Sequence, residues 1–526
     1  MISIAFIQAR QHNGRSGGGI LRKPKRDPST KRAAKSGNSA KVQKKPKGVI
    51  GSVRAPSIWS QNRRTDPRPG GAADVRTPFE QDFDRLLFST PVRRLADKTQ
   101  VFPLERNDSV RTRLTHSHEV SNLSKSMGTR LLRRDRVVFG DSDEIRNGAP
   151  IILSTIGLAH DLGNPPFGHQ GEAAISRWFK EHESLFTTLG NNYGDAGETT
   201  AFVAVPESQW NDFTKFEGNA QALRLVSRLQ NTAGRAGLNL TAATLAALMK
   251  YPVASSETDT SRAARKKHGY FTSEVDVVTW IRRETGLGAG ERHPLTWVME
   301  ASDDIAYSCL DIEDAIKKGL VSAEDLLAFL RRRFSHTDLG GLTNQLTDDF
   351  KKADEDDSSL SRVREIKATY LRTRLVERLV TGATNTYYAD KQAILTFQRT
   401  RPLLECDSDE SKLCDSLKAF ARVHAYQSTS VLGIELKGAL VITALMDAMW
   451  DAISCRKTFS DPGSRRVNPK ASYVYSLISD SYRWHFERAG EPSLTMRYRE
   501  LQLLADMISG MTDGYALDLH EKILRP

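Results

Sequence analysis

Apolar residues recur along this chain at intervals of three and four, which gathers them on one side of a helix, and they seldom alternate as along a half-buried strand. Regular patterning begins near Phe79. In FEQDFDRLLFSTPVRRLADKTQVF, Phe83, Leu86, Leu87, Val92 and Leu95 keep helical spacing and Pro91 interrupts it, which predicts two short helices ending near Lys98. Asp108 or Ser109 can cap a third helix running to about Leu132, and IILSTIGLAH forms a fourth, ending in His160 and Asp161 before Gly163 and an Asn-Pro-Pro turn. From about Glu181 to Lys215 the period lapses, predicting a long irregular excursion. FEGNAQALRLVSRLQ and NLTAATLAALMKY then read as two more helices, the second ending in Lys250 and Tyr251. A polar loop carrying Arg262, Arg265, Lys266 and Lys267 precedes a helix over about Pro294–Lys318, and amphipathic segments continue to Met511 with no fixed-period repeat. The pattern predicts an all-α fold, a compact multi-helix core followed by additional C-terminal helices.

Charge changes this picture only at one end. The net +12 suggests a nucleic-acid partner until it is located: residues 1–55 hold 14 Lys or Arg against one acid, Asp27, and everything after them sums to about −1. That stretch is rich in Gly, Ser, Lys and Pro and poor in aromatics, so it buries too little apolar area to offset its ordering entropy. The expectation is a disordered basic tail over 1–56, a Pro, Gly and Arg-rich linker or surface wrap over 57–78, and a helical domain over 79–526. The tail suits phosphate contacts whose affinity falls with salt; a solubilising arm or a misassigned start codon fits it as well. No apolar run approaches the roughly 18 residues of a membrane span, MISIAFIQAR lacks the basic start of a secretion signal, and Cys309, Cys406, Cys414 and Cys455 show no framework spacing. A cytoplasmic protein without a membrane partner is expected.

Chemistry concentrates between Arg113 and Glu172, which opens with RTRLTHSHEV and closes with GLAHDLGNPPFGHQGEAA. Arg113 and His116 are three apart and share a helix face, and His160 and Asp161 sit at a helix end. MEASDDIAYSCLDIED later returns Asp303, Tyr307 and Asp311 at i, i+4 and i+8, a carboxylate, a ring and a carboxylate along one face. Any one of these is ordinary: a lone His is usually structural, a His-Asp pair arises by chance, and an acidic pair often caps a helix. Together, a His, a His-Asp and a distant Asp make up the ligands of one divalent ion with positions left for water and phosphate.

RLTHSHEV, AHDLGNPPFGHQGEAAI, FEGNAQ, DDIAYSCLDIED and ISGMTDGYA resemble the deoxyguanosine triphosphate triphosphohydrolase family of the HD-domain phosphohydrolase superfamily, from about Val92 to Leu517. The resemblance implies an all-helical fold, commonly hexameric, that cleaves a deoxynucleoside triphosphate to the deoxynucleoside and inorganic triphosphate. It places an HD metal-site core at about 108–318 and a helical C-terminal part at about 319–526. It implies that His116, His160, Asp161 and Asp303 hold magnesium or manganese, that His169 and Glu172 are a catalytic pair, and that Arg113 lies beside the α-phosphate. Asn219, Lys250, Tyr251 and Lys267 match triphosphate-holding positions, Gln100 and Asp311 those at the sugar 3′-hydroxyl, Tyr307 the ring against the deoxyribose, and Glu435 a base contact. Some relatives respond to single-stranded DNA, which the basic tail could also bind.

The chemistry is coherent without the family, because four or so negative charges on a triphosphate call for a cation and Lys or Arg partners in the transition state. Either the attacking water or the departing 5′-oxygen could exchange its proton with His169. A different HD phosphohydrolase, acting on nucleoside monophosphates or nucleic-acid ends, would share the metal ligands without needing Lys250, Tyr251 and Lys267. A nonenzymatic nucleic-acid binder would depend on the tail alone.

Overall fold

Two histidine-bearing helices, crossed by a third that is buried along most of its length, set the centre of the molecule. The first, Arg113–Arg134, starts at Thr112, whose hydroxyl accepts the Thr115 amide while the Thr115 hydroxyl accepts the Thr112 amide. Asp108 lies outside the described residues and Ser109 precedes the start, so the cap falls three residues later than Ser109 and puts Arg113 and His116 in the first turn. The second helix is longer than its apolar core suggests. It starts at Asp143, capped by Ser142 with Asp143 and Glu144 in the first turn, and carries Pro150 inside it to end at Ala159. Gly157 lets the two helices touch: a Cβ there would lie 2.7 Å from the Ser121 Cα. The third, Pro294–Lys317, has Pro294 in its first turn and a His293 cap.

The computed structural model describes residues 56–65, 75–102, 104, 109–190, 202–230, 236–335, 337, 339–355, 359–427, 429–488 and 493–524. The basic segment before Pro56 lies outside them. Ala55–Pro526 make up one compact unit, all-helical among the described residues apart from two isolated bridges, Thr99 with Thr112 and Arg456 with Arg466. No single helix there is long and apolar enough to cross a membrane. Pro56–Thr65 lies along the domain: Trp59 is buried edge-on against His293, the Ser60 and Asn62 carbonyls accept the Ala243 and Ala242 amides, and Arg63 pairs with buried Asp82 at 2.6 Å.

Other boundaries moved for local reasons. Pro91 sits in the first turn of Thr90–Arg94, where its missing N–H costs nothing, so it opens a helix after Pro78–Leu87 and does not break one. Short helices, Ser184–Thr187 and Asn211–Thr214, interrupt the expected irregular excursion. Gly218–Arg224 continues as a π-turn over Leu225–Leu229, and Ala242–Leu248 stops before Lys250 and Tyr251, which lie in the extended chain beyond it. At the C-terminal end, Thr429–Ser454 packs along Gly168–Glu181, and Met496–Ser509 and Asp513–Leu524 close the core.

Candidate active site

His116 is wholly buried, with its ring centroid 5.4 Å from that of His160. The His160 Nδ1–H donates to the Gly157 carbonyl at 2.7 Å, which turns Nε2 inward; it lies 3.5 Å from oxygens of both Asp161 and Asp303, and His116 Nε2 lies 3.4 Å from Asp303. One ligand atom each of His116, His160 and Asp161 falls within 4.8 Å of the others. Both ring nitrogens of His116 and Nε2 of His160 are buried without a hydrogen-bond partner, a costly arrangement that a coordinated cation would satisfy. The donor set fits a divalent ion.

Electrostatics around the cluster point the same way. Burial would raise the Asp303 carboxyl, but the charge of His160, the close approach of both imidazoles at 3.4 and 3.5 Å and the charge of Lys250 hold it well below the usual range. Burial likewise opposes ionisation of Asp161, yet His160 and Arg113, the latter 2.5 Å away, bring it down to about 2. His160 shows the converse: desolvation would lower it, and Asp161 and Asp303 push it up to about 9. Cation binding at Nε2 must expel that proton, so divalent-ion affinity is expected to climb with pH by up to about tenfold per unit and to level off above pH 9. In the metal-free protein the same raised pKa adds folding stability that is complete below about 6.5 and lost as pH passes about 9. Calorimetric manganese titrations at pH 6.5, 7.5 and 8.5 in buffers of different ionisation heat check the affinity; pH-independent binding without proton release would contradict it.

A cavity of about 450 Å³ opens beside the cluster, a volume suited to a small molecule. All the sequence-predicted residues line it except His116 and Asp311. His169 stands on its wall, largely exposed, its Nδ1 3.2 Å from Glu172, and Glu172 is buried and accepts the Gly218 amide at 2.9 Å. The hydrogen bond to Glu172 raises the His169 pKa. Lys250 Nζ stands 3.5 Å from Asp303, while Lys267 pairs with buried Glu217 at 2.6 Å, and the same Glu217 accepts from Asn219. Arg292, itself buried, holds this wall: its Nε donates to the Lys250 carbonyl, its Nη groups to Glu300 and the Ala263 carbonyl, and it lies over Tyr251. Gln100 also lines the cavity, with its Oε1 buried and unpartnered.

Asp311 departs from the expected row. Each four-residue step overshoots a full turn by about 40°, so eight residues carry Asp311 about 80° from Asp303 and beneath the wall. It is completely buried, accepts the Tyr426 hydroxyl at 2.9 Å, and leaves Oδ1 unpartnered; burial drives its pKa well above the carboxylate range. Tyr426 itself, 5.7 Å from the Tyr307 ring and also lining the cavity, escaped sequence reasoning because it is 115 residues from its partner with no motif around it. Asn164, whose amide donates to Asp161 at 2.7 Å, was also missed, although it lies within the AHDLGNPPFGHQ stretch. Glu435 lines the cavity mouth with Val431.

The HD domain family model matches residues 113–204, the segment that supplies His116, His160, Asp161, His169 and Glu172. Over 456 residues the chain is 36% identical to a deoxyguanosinetriphosphate triphosphohydrolase-like protein of Listeria monocytogenes, covering 86% of this chain and 94% of the relative. It is 34% identical over 498 residues to a deoxyguanosinetriphosphate triphosphohydrolase of Klebsiella pneumoniae, covering 89% and 97%. The chain belongs to the deoxyguanosinetriphosphate triphosphohydrolase family. A Yersinia enterocolitica member is 31% identical over 496 residues. Alignment along nearly the whole length extends the kinship from the HD segment to the C-terminal helices that close the cavity.

Proposed function

We propose that this protein is a cytoplasmic, metal-dependent deoxynucleoside triphosphate triphosphohydrolase acting foremost on dGTP, releasing the deoxynucleoside and inorganic triphosphate. One observation carries the reading: a single cavity is lined by His160, Asp161 and Asp303, with His116 buried 3.4 Å from Asp303, by the His169–Glu172 pair, and by the cations Arg113, Lys250 and Lys267. Magnesium or manganese on His116, His160, Asp161 and Asp303 would supply positive charge against the α-phosphate. Arg113, Lys250 and Lys267, with Asn219 and Tyr251, hold the triphosphate; Glu217 keeps Lys267 and Asn219 aimed. Water attacks the α-phosphorus and loses its proton to bulk water, the bond to the 5′-oxygen breaks, and His169, whose pKa the hydrogen bond to Glu172 raises, gives its proton to that oxygen and regains one from solvent. Tyr307 against the sugar leaves little room for a 2′-hydroxyl, and Gln100 offers an unpartnered acceptor to the 3′-hydroxyl.

Incubation with each dNTP and with GTP, plus manganese or magnesium, followed by ion-exchange separation, tests this. Inorganic triphosphate and deoxynucleoside are expected, fastest from dGTP and slowest from GTP. Pyrophosphate or orthophosphate as the first product would move the protein to another nucleotide phosphohydrolase class, and no product from any of these nucleotides to an HD phosphohydrolase acting on monophosphates or nucleic-acid ends. The proposal extends to a homo-oligomer, a hexamer by kinship, and to single-stranded DNA bound through the basic residues before 56, read by light scattering and by salt-dependent oligonucleotide binding.

A further inference from the structure

The sequence TDG at 512–514 served above only as part of a family signature, yet its three residues reach, from the far end of the chain, the segments behind the cavity lining: Asp97, Thr99 and Phe167. Thr512 donates its hydroxyl to Asp97 at 2.6 Å. Gly514 packs beside it, where a Cβ would sit 2.8 Å from an Asp97 oxygen and push that side chain aside. Asp513, 2% exposed, uses both carboxylate oxygens: Oδ2 accepts the Thr99 amide at 3.0 Å and the Thr99 hydroxyl, and Oδ1 accepts the Phe167 amide at 3.0 Å. Thr99 precedes Gln100 on one wall; Phe167 precedes the helix that carries His169 and Glu172 on the other.

Phe167 shows why that contact matters. Its backbone is left-handed, at φ +61°, an uncommon and costly state for an aromatic residue, and it forms the N-cap of its helix with no side-chain cap of its own. The Asp513 carboxylate, from outside the helix, anchors this strained residue. Lys98 adds a second tie between the same pieces of chain, its buried Nζ donating to the Asn164 carbonyl at 2.5 Å and the Ser509 carbonyl at 2.9 Å.

We propose that Asp513 is a positioning residue that sets the distance between the two walls, the Thr99–Gln100 side at the sugar 3′-end and the Phe167–His169 side at the scissile bond. This rests on the functional reading above for what those walls hold. Asparagine has one acceptor oxygen where aspartate has two, so Asp513→Asn keeps one wall and releases the other, while Asp513→Ala releases both.

The test compares kcat/KM for dGTP and for 2′,3′-dideoxyGTP, with amide hydrogen exchange of the peptides containing Thr99 and Phe167 and with the melting temperature. Wild type is expected to favour the 3′-hydroxyl by at least about a hundredfold. Asp513→Ala is expected to lose about tenfold or more of that preference and to speed exchange at both peptides; Asp513→Asn should speed exchange at one. Thr99→Val, which removes the hydroxyl and keeps the amide, should fall between wild type and Asp513→Asn in the substrate ratio. Variants that keep the wild-type ratio and exchange, losing activity only in step with the folded fraction, would overturn the proposal. A wild-type protein releasing no triphosphate from any dNTP defeats the functional reading instead; exchange at Thr99 and Phe167 then decides the positioning role, unchanged rates in Asp513→Ala refuting it.

Discussion

Asp303→Asn is expected to lower kcat by about three orders of magnitude or more and to abolish the rise in melting temperature that a divalent cation gives the wild type. Asp303 is where the site's charges meet: one oxygen faces His116 and His160 at 3.4 and 3.5 Å, the other faces Lys250 at 3.5 Å. Asparagine keeps its volume, so packing is little disturbed, but it removes the negative charge that draws a cation onto the histidines and offsets Lys250. A ligand that binds only the folded state raises stability in proportion to RT ln(1 + [L]/Kd), which makes the thermal shift a measure of the cation site separate from turnover. The metal-free variant should also lose stability at neutral pH. The Asp303 pKa is lowered by folding, so its contribution is present above the ordinary carboxylate range and fades as pH falls through the depressed value. Activity assays and scanning fluorimetry with and without manganese give both numbers. Undiminished turnover, or an intact manganese-induced shift, would remove Asp303 from the site.

The parts of this site that could be read in the chain are those whose geometry is local. Arg113 with His116 and His169 with Glu172 are three-residue spacings that a helix turns into neighbours, and both pairs stand where the spacing put them. Apolar periodicity likewise sufficed for the helical class and for the long helix bearing Asp303. What stayed hidden depends on chain brought from far away. Nothing near Tyr426 announces Asp311, and Thr99 and Asp513, 414 positions apart, carry no sign that they meet. Other misses came from reading a residue without its position. Pro91 reads as a breaker until it is seen to occupy a first turn, and Pro150 hides a helix that starts seven residues before it. The row at i, i+4, i+8 assumed a period of four where the helix has 3.6, and Asp311 left the cavity wall on that difference.

His169→Ala should cut kcat by about 10²- to 10⁴-fold, the usual worth of a general acid or base, with manganese affinity unchanged because no metal-cluster atom is touched. The sharper expectation concerns pH. If His169 gives a proton to the departing oxygen, kcat falls as pH rises through its pKa, and that pKa is raised chiefly by the hydrogen bond to Glu172. Glu172→Gln keeps the volume but has one acceptor oxygen for the two donors, the ring and the Gly218 amide, and withdraws the charge, so the His169 pKa drops and the falling limb of kcat moves to lower pH. Were His169 instead to take a proton from the attacking water, the same substitution would move a rising limb to lower pH and leave activity higher on the acid side. The two roles therefore predict opposite changes, a loss or a gain, in the pH window between the His169 pKa values of wild type and variant. Profiles of kcat for wild type and Glu172→Gln between pH 6 and 10, at saturating manganese and dGTP, separate them. Coincident profiles in the two proteins would show that neither proton transfer depends on this pair.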